Sequence, residues 1–110
     1  MKQIRPPMRT CEAVLTEVVY FLREDGVDSD PLFQLLERDA LRVNFDLSKH
    51  WPRVRNLMAR YERMDLADAS IVVMSELHRR CQVLTIDRKD FSIYRRNDRQ
   101  TIDFIAPRKP

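Results

Sequence analysis

The chain has 110 residues, enough for one domain, and its 44% hydrophobic and 34% charged residues are globular composition with material for a core. Its single glycine, Gly26, excludes the dinucleotide fingerprint and the P-loop, and two cysteines, Cys11 and Cys81, exclude a disulfide framework. The formal charge is +3, and arginine dominates the basic residues because only Lys2, Lys49, Lys89 and Lys109 are lysine.

In chain order, Met8–Cys11 is a short extended candidate after Pro6 and Pro7. From Glu12 to Glu24, Val14, Leu15, Val18, Val19 and Leu22 fall at helical spacing, and Asp25-Gly26 ends the run. Asp30-Pro31 opens a second helix, which runs to about Arg38 on Leu32, Leu35 and Leu36. Leu41–Phe45 alternates apolar and polar residues and reads as a strand. Ser48 to Tyr61 is helical, with Trp51, Val54, Leu57, Met58 and Tyr61 as its apolar stripe. Leu66–Arg79 is nearly continuous in apolar residues, so it is expected to be a buried helix. Gln82–Ile86 reads as a buried strand, and Thr101–Ile105 as a weaker final one. Helices alternating with short strands predict an α/β fold with a mainly parallel sheet, in a single domain over residues 1–110. Ligands of such sheets lie outside the carboxyl ends of the strands.

Met1–Arg9 lacks the apolar block of a signal peptide, and the apolar stretches Ala13–Leu22 and Leu66–Leu77 are too short for a bilayer. The expectation is a soluble, cytoplasmic protein with no membrane partner. His78 and Cys81 stand three residues apart, but two ligands do not make a zinc site.

Three carboxylates interrupt apolar segments. Glu17 is the only charge between Glu12 and Arg23, Asp68 breaks the run from Leu66 to Met74, and Asp87 closes the strand that starts at Gln82. A carboxylate near a core is costly unless it is paired, hydrogen-bonded or bound to a cation. Each has an ordinary explanation. Asp65 and Asp68 have the spacing of a helix cap, Glu17 could pair with Arg9 or Arg23, and Asp87 could be a turn residue. A shared cation would account for all three at once, and oxygen ligands without His or Cys suit Mg²⁺ or Mn²⁺. The clusters Arg53/Arg55/Arg60/Arg63, Arg79/Arg80, Arg88/Lys89 and Arg95/Arg96/Arg99 read as solvated surface or as an RNA-facing patch.

The segments AVLTEVVYFL, MDLADASIVVMSE and VLTIDRKDFSIYR, in this order and spacing, resemble the PIN domain, in particular VapC-type toxin ribonucleases, from about Arg9 to Pro107. The resemblance implies a PIN-like, Rossmann-like three-layer α/β/α fold and Mg²⁺- or Mn²⁺-dependent cleavage of RNA. It assigns Glu17, Asp68 and Asp87 to catalysis and metal binding, with Asp65 as a further metal neighbour. Thr85 and Arg88 fall on the substrate side, and Asp90-Phe91 match the family's following pair.

One departure is plain. The family's first central strand ends in a metal-binding aspartate, whereas the first acid here is Glu12. The chain is therefore expected to lack that strand and its following helix, and to be impaired in cleavage. Two inner strands would then face a gap, which the sheet closes by rearranging or covers with a second copy, so a homodimer is expected. A cognate antitoxin is the other partner the resemblance implies. The alternative is a non-catalytic remnant that serves as a protein-interaction or oligomerisation module.

Overall fold

Strong helical periodicity in the first half and short β-branched or aliphatic runs between helices produce an α/β chain. The computed structural model describes residues 7–78, 80, 82–85, 95–96, 100–101 and 104–105. Strand β1 (Met8–Thr10) leads into α1 (Glu12–Glu24) and α2 (Asp30–Glu37), then β2 (Leu41–Val43). Next come α3 (Leu47–Arg60), α4 (Leu66–Leu77) and β3 (Gln82–Leu84). The two-residue strands β4 (Arg95–Arg96), β5 (Gln100–Thr101) and β6 (Phe104–Ile105) follow.

Four strands form a parallel sheet in the order β2-β1-β3-β6. Met8 pairs with Leu41 on one side and with Gln82 on the other, so β1 is an interior strand hydrogen-bonded on both edges. This corrects the expected gap. β1 closes directly onto β3, so no unpaired strand edge is left between them for a second copy to cover. Thr10 Oγ1 donates to the Leu84 carbonyl at 3.1 Å, tying the two strands together where they end.

The final segment also differs from expectation. Thr101 pairs antiparallel with Arg95 in a separate two-stranded ribbon, while Phe104–Ile105 joins the main sheet beside β3. Pairs this short carry no alternation from which a strand boundary could be read. β2 likewise stops at Val43, two residues short of the expected Phe45.

The helices start and stop for local reasons. α1 ends in a Schellman turn: Gly26 takes φ +67°, and the N–H groups of Gly26 and Val27 reach the carbonyls of Arg23 and Leu22. Asp39 repeats the device after α2 at φ 60°, and its N–H and that of Ala40 donate to Leu36 and Leu35. Asp46 caps α3 by accepting from the Ser48 N–H at 3.0 Å. Pro52 stands at the sixth position of α3, so the N–H it lacks removes the i→i−4 bond to the Ser48 carbonyl, a cost the helix bears close to its start.

α4 is the centre of the core. Its residues Ala67 to Ser75 are all buried, and it packs against α1, α3, β1 and β3. Val14 and Val18 of α1, Val54 and Leu57 of α3, and Met8, Leu41 and Val83 of the sheet complete the core. α3 turns only part of its expected stripe inward: Trp51 is 53% exposed and Met58 38%, while Leu57 is fully covered. Among the described residues no helix is long and apolar enough to cross a membrane.

Candidate functional site

The carboxyl edge of the sheet gathers the ends of β1 and β3. Thr10 and Thr85 are both buried there, at 0% and 1% exposure, and Cys11 follows Thr10 as the residue that caps α1. Burial pushes the Cys11 thiol up, against the pull of the Ala13 and Val14 N–H groups, and the negative charges of Glu17 and Glu12 push the same way. Glu17 thus lies near enough to this edge for its charge to be felt there. It is half-buried on α1, flanked by the core residues Val14 and Val18.

Asp65 and Asp68 meet at the start of α4. Asp65 is the N-cap and accepts from the Asp68 N–H at 2.8 Å, while Asp68 Oδ2 accepts from the Asp65 N–H at 3.4 Å. This reciprocal capping box satisfies two of the four amide groups that a helix start leaves without partners. Asp68 is 8% exposed and Asp65 is on the surface. The capping explanation therefore holds for both, and a burial this deep for Asp68 goes beyond what a surface cap requires.

Asp87 and Arg88 lie outside the described residues, as do Asp90, Phe91 and Cys81. Thr85 is the last described residue before them and sits at the carboxyl edge as expected. Among the described residues, no three His, Cys, Asp or Glu side chains come together as a metal-holding group. Glu17, Asp65 and Asp68 alone therefore do not make the donor set of a divalent cation.

One arginine cluster divides. Arg53 makes a bidentate bridge to Glu76, with Nε to Oε1 at 3.0 Å and Nη2 to Oε2 at 2.8 Å, joining α3 to α4. Its cluster mates Arg55, Arg60 and Arg63 are on the surface. Sequence reasoning grouped Arg53 with them because it cannot see that Glu76 lies on the facing helix. It also passed over Gln82, a fully covered polar side chain in β3, which no local pattern distinguishes from a strand-end glutamine.

At the other end of α1, Val19, Arg23, Gly26, Val27, Asp28 and Ser29 line an open cleft of about 390 Å³. It holds one basic and one acidic side chain and no cluster of reactive groups. Compared with protein-family models, curated proteins and solved structures, the chain matches none.

Proposed function

We propose that the chain is a PIN-like scaffold of the VapC toxin type, an RNA-directed, Mg²⁺- or Mn²⁺-dependent nuclease fold whose cleavage is impaired because β1 and β3 pair directly, with no strand between them to carry a further acid. The observation that carries the reading is Asp68, an acid in the first turn of a helix that is buried from Ala67 to Ser75. Support comes from the parallel α/β sheet, from half-buried Glu17 on the helix that follows β1, and from buried Thr85 at the carboxyl edge. In this reading Glu17, Asp68 and Asp87 are the cation ligands, Asp65 supports Asp68, and Thr85 and Arg88 face the RNA. Bound metal would supply a more acidic water and stabilise charge on the scissile phosphate.

The second reading is a non-catalytic remnant that binds a protein, an antitoxin or another copy. Direct pairing of β1 with β3 favours it, since the sheet closes with no strand between them to bring in a further acid. An RNA cleavage assay with Mg²⁺ and with Mn²⁺ tests the first reading. The expected result is trace cleavage or none, because misplacing reacting atoms by about 1 Å already costs on the order of a hundredfold. Robust cleavage abolished by Asp87→Ala would show that the catalytic set is complete without a further aspartate.

A further inference from the structure

Gly26 is the chain's one glycine and follows Asp25, so Asp25-Gly26 is its one Asp-Gly pair. Both residues are exposed, and nothing stands within 4 Å of where a Cβ on Gly26 would be. A carboxyl one methylene from the main chain, followed by an amide with no side chain beside it, is set up for one reaction. The Gly26 nitrogen can attack Asp25 Cγ and close a five-membered ring. Backbone conformation decides when. Ring closure needs the Gly26 nitrogen turned toward Asp25 Cβ, and ψ of Asp25 is the torsion that turns it. At the observed ψ of 4° that nitrogen eclipses the Asp25 nitrogen instead, and Cβ lies away from it. Two bonds hold this setting: the Gly26 N–H donates to the Arg23 carbonyl at 3.1 Å, and the Val27 N–H to the Leu22 carbonyl at 2.8 Å. Turning ψ swings both donors off their acceptors, so the ring closes only when the turn opens.

We propose that Asp25-Gly26 is a site of spontaneous isoaspartate formation, gated by the Schellman turn that ends α1. The Gly26 nitrogen bonds to Asp25 Cγ and gives up its proton, and the carboxyl hydroxyl leaves with that proton as water. One water then adds back to the ring. Cleavage between the nitrogen and Cγ restores aspartate. Cleavage between the nitrogen and the main-chain carbonyl carbon of Asp25 leaves isoaspartate, with mass unchanged and no oxidant, reductant or cofactor involved. The isoaspartate chain runs through Cβ and Cγ, one methylene longer, and carries the α-carboxylate as a branch. The Gly26 and Val27 N–H groups then no longer fall opposite the Arg23 and Leu22 carbonyls, so the product cannot rebuild the turn.

The test incubates the full chain at physiological temperature and mildly acidic pH, folded in buffer and unfolded in guanidinium chloride. Isoaspartate is counted by methylation with protein-L-isoaspartate methyltransferase and placed on Asp25 by peptide mass spectrometry. It is expected at Asp25 in both samples, at least about tenfold more slowly in the folded chain, because only molecules with the turn open react. That slowing should match the hydrogen-exchange protection of the Val27 amide, which reports the same opening. Val27→Pro removes the N–H that meets the Leu22 carbonyl and is expected to speed the folded reaction several-fold, with circular dichroism confirming the fold. Should Val27→Pro unfold, the exchange comparison on the wild-type chain decides alone. Equal rates in the folded and unfolded chain would overturn the gate. So would a folded Val27→Pro that reacts at the wild-type rate, or a slowing that departs from the Val27 protection by more than about tenfold. No isoaspartate at Asp25 in either sample would overturn the site itself.

Discussion

Asp65 and Asp68 hold each other's backbone N–H groups across the first turn of α4, at 2.8 and 3.4 Å. The shorter bond, from the Asp68 N–H to the Asp65 carboxylate, carries the cap. Asp65→Ala is therefore expected to cost about 1 kcal/mol of stability. Asp68→Asn, which keeps an acceptor oxygen, is expected to cost less. Urea denaturation of both variants checks the order, and a larger loss in Asp68→Asn would mean that its ionised form is a structural requirement of the fold.

The bridge between Arg53 and Glu76 joins two helices across a partly buried contact, with the Glu76 side chain 10% exposed. Two parallel charge-assisted hydrogen bonds in such a place are worth about 1–3 kcal/mol. A double-mutant cycle of Arg53→Met and Glu76→Gln is expected to return a coupling in that range. A coupling near zero would place the pair with ordinary surface ion pairs.

Gly26 shows why backbone conformation, not space, governs some positions. Nothing lies within 4 Å of where a Cβ would stand, yet φ is +67°. Gly26→Ala is expected to destabilise by about 1 kcal/mol from the left-handed conformation alone. An unchanged denaturation midpoint would mean that the Schellman turn relaxes to a negative φ.

Burial first, and then the positive charge of Arg9, hold His78 below its ordinary value. A folded value below the unfolded one means that the folded chain binds fewer protons between the two. The stabilisation is then complete above about pH 6.5 and is lost as pH falls through the folded value. An NMR titration of the His78 ring should show it shifted down, and Arg9→Gln should recover only part of the shift. Titration at or above the ordinary value would contradict this placement.

Much of the helical framework was legible in the sequence. α1 matches its expected bounds at both ends because its periodicity is strong and Asp25-Gly26 supplies a physical stop. α4 was legible for the opposite reason, an almost unbroken apolar run that only burial explains. The sheet was not. Strands of two or three residues carry too little pattern, and the choice of β3 as the partner of β1 is tertiary, written in no local segment. For the same reason Trp51 and Met58 looked like core; helical spacing identifies a stripe, but not how much of it the neighbouring helix covers. Of the candidate site, Asp68 stands out in the sequence as a charge in an apolar run and Thr85 only through the family resemblance, and both are buried. Glu17 is less covered than its apolar neighbours suggested, and Asp87 lies outside the described residues.

The most direct test of the account is a Mn²⁺ titration, followed by electron paramagnetic resonance, of the wild-type chain, Asp68→Asn and Asp65→Asn. The nuclease-scaffold reading predicts weak binding by wild type, on the order of millimolar as for cation sites of low ligand charge. It predicts loss of that binding in Asp68→Asn and its survival, weakened, in Asp65→Asn. Equal binding by wild type and Asp68→Asn would remove Asp68 from any cation site, leave it as a helix cap, and contradict the account.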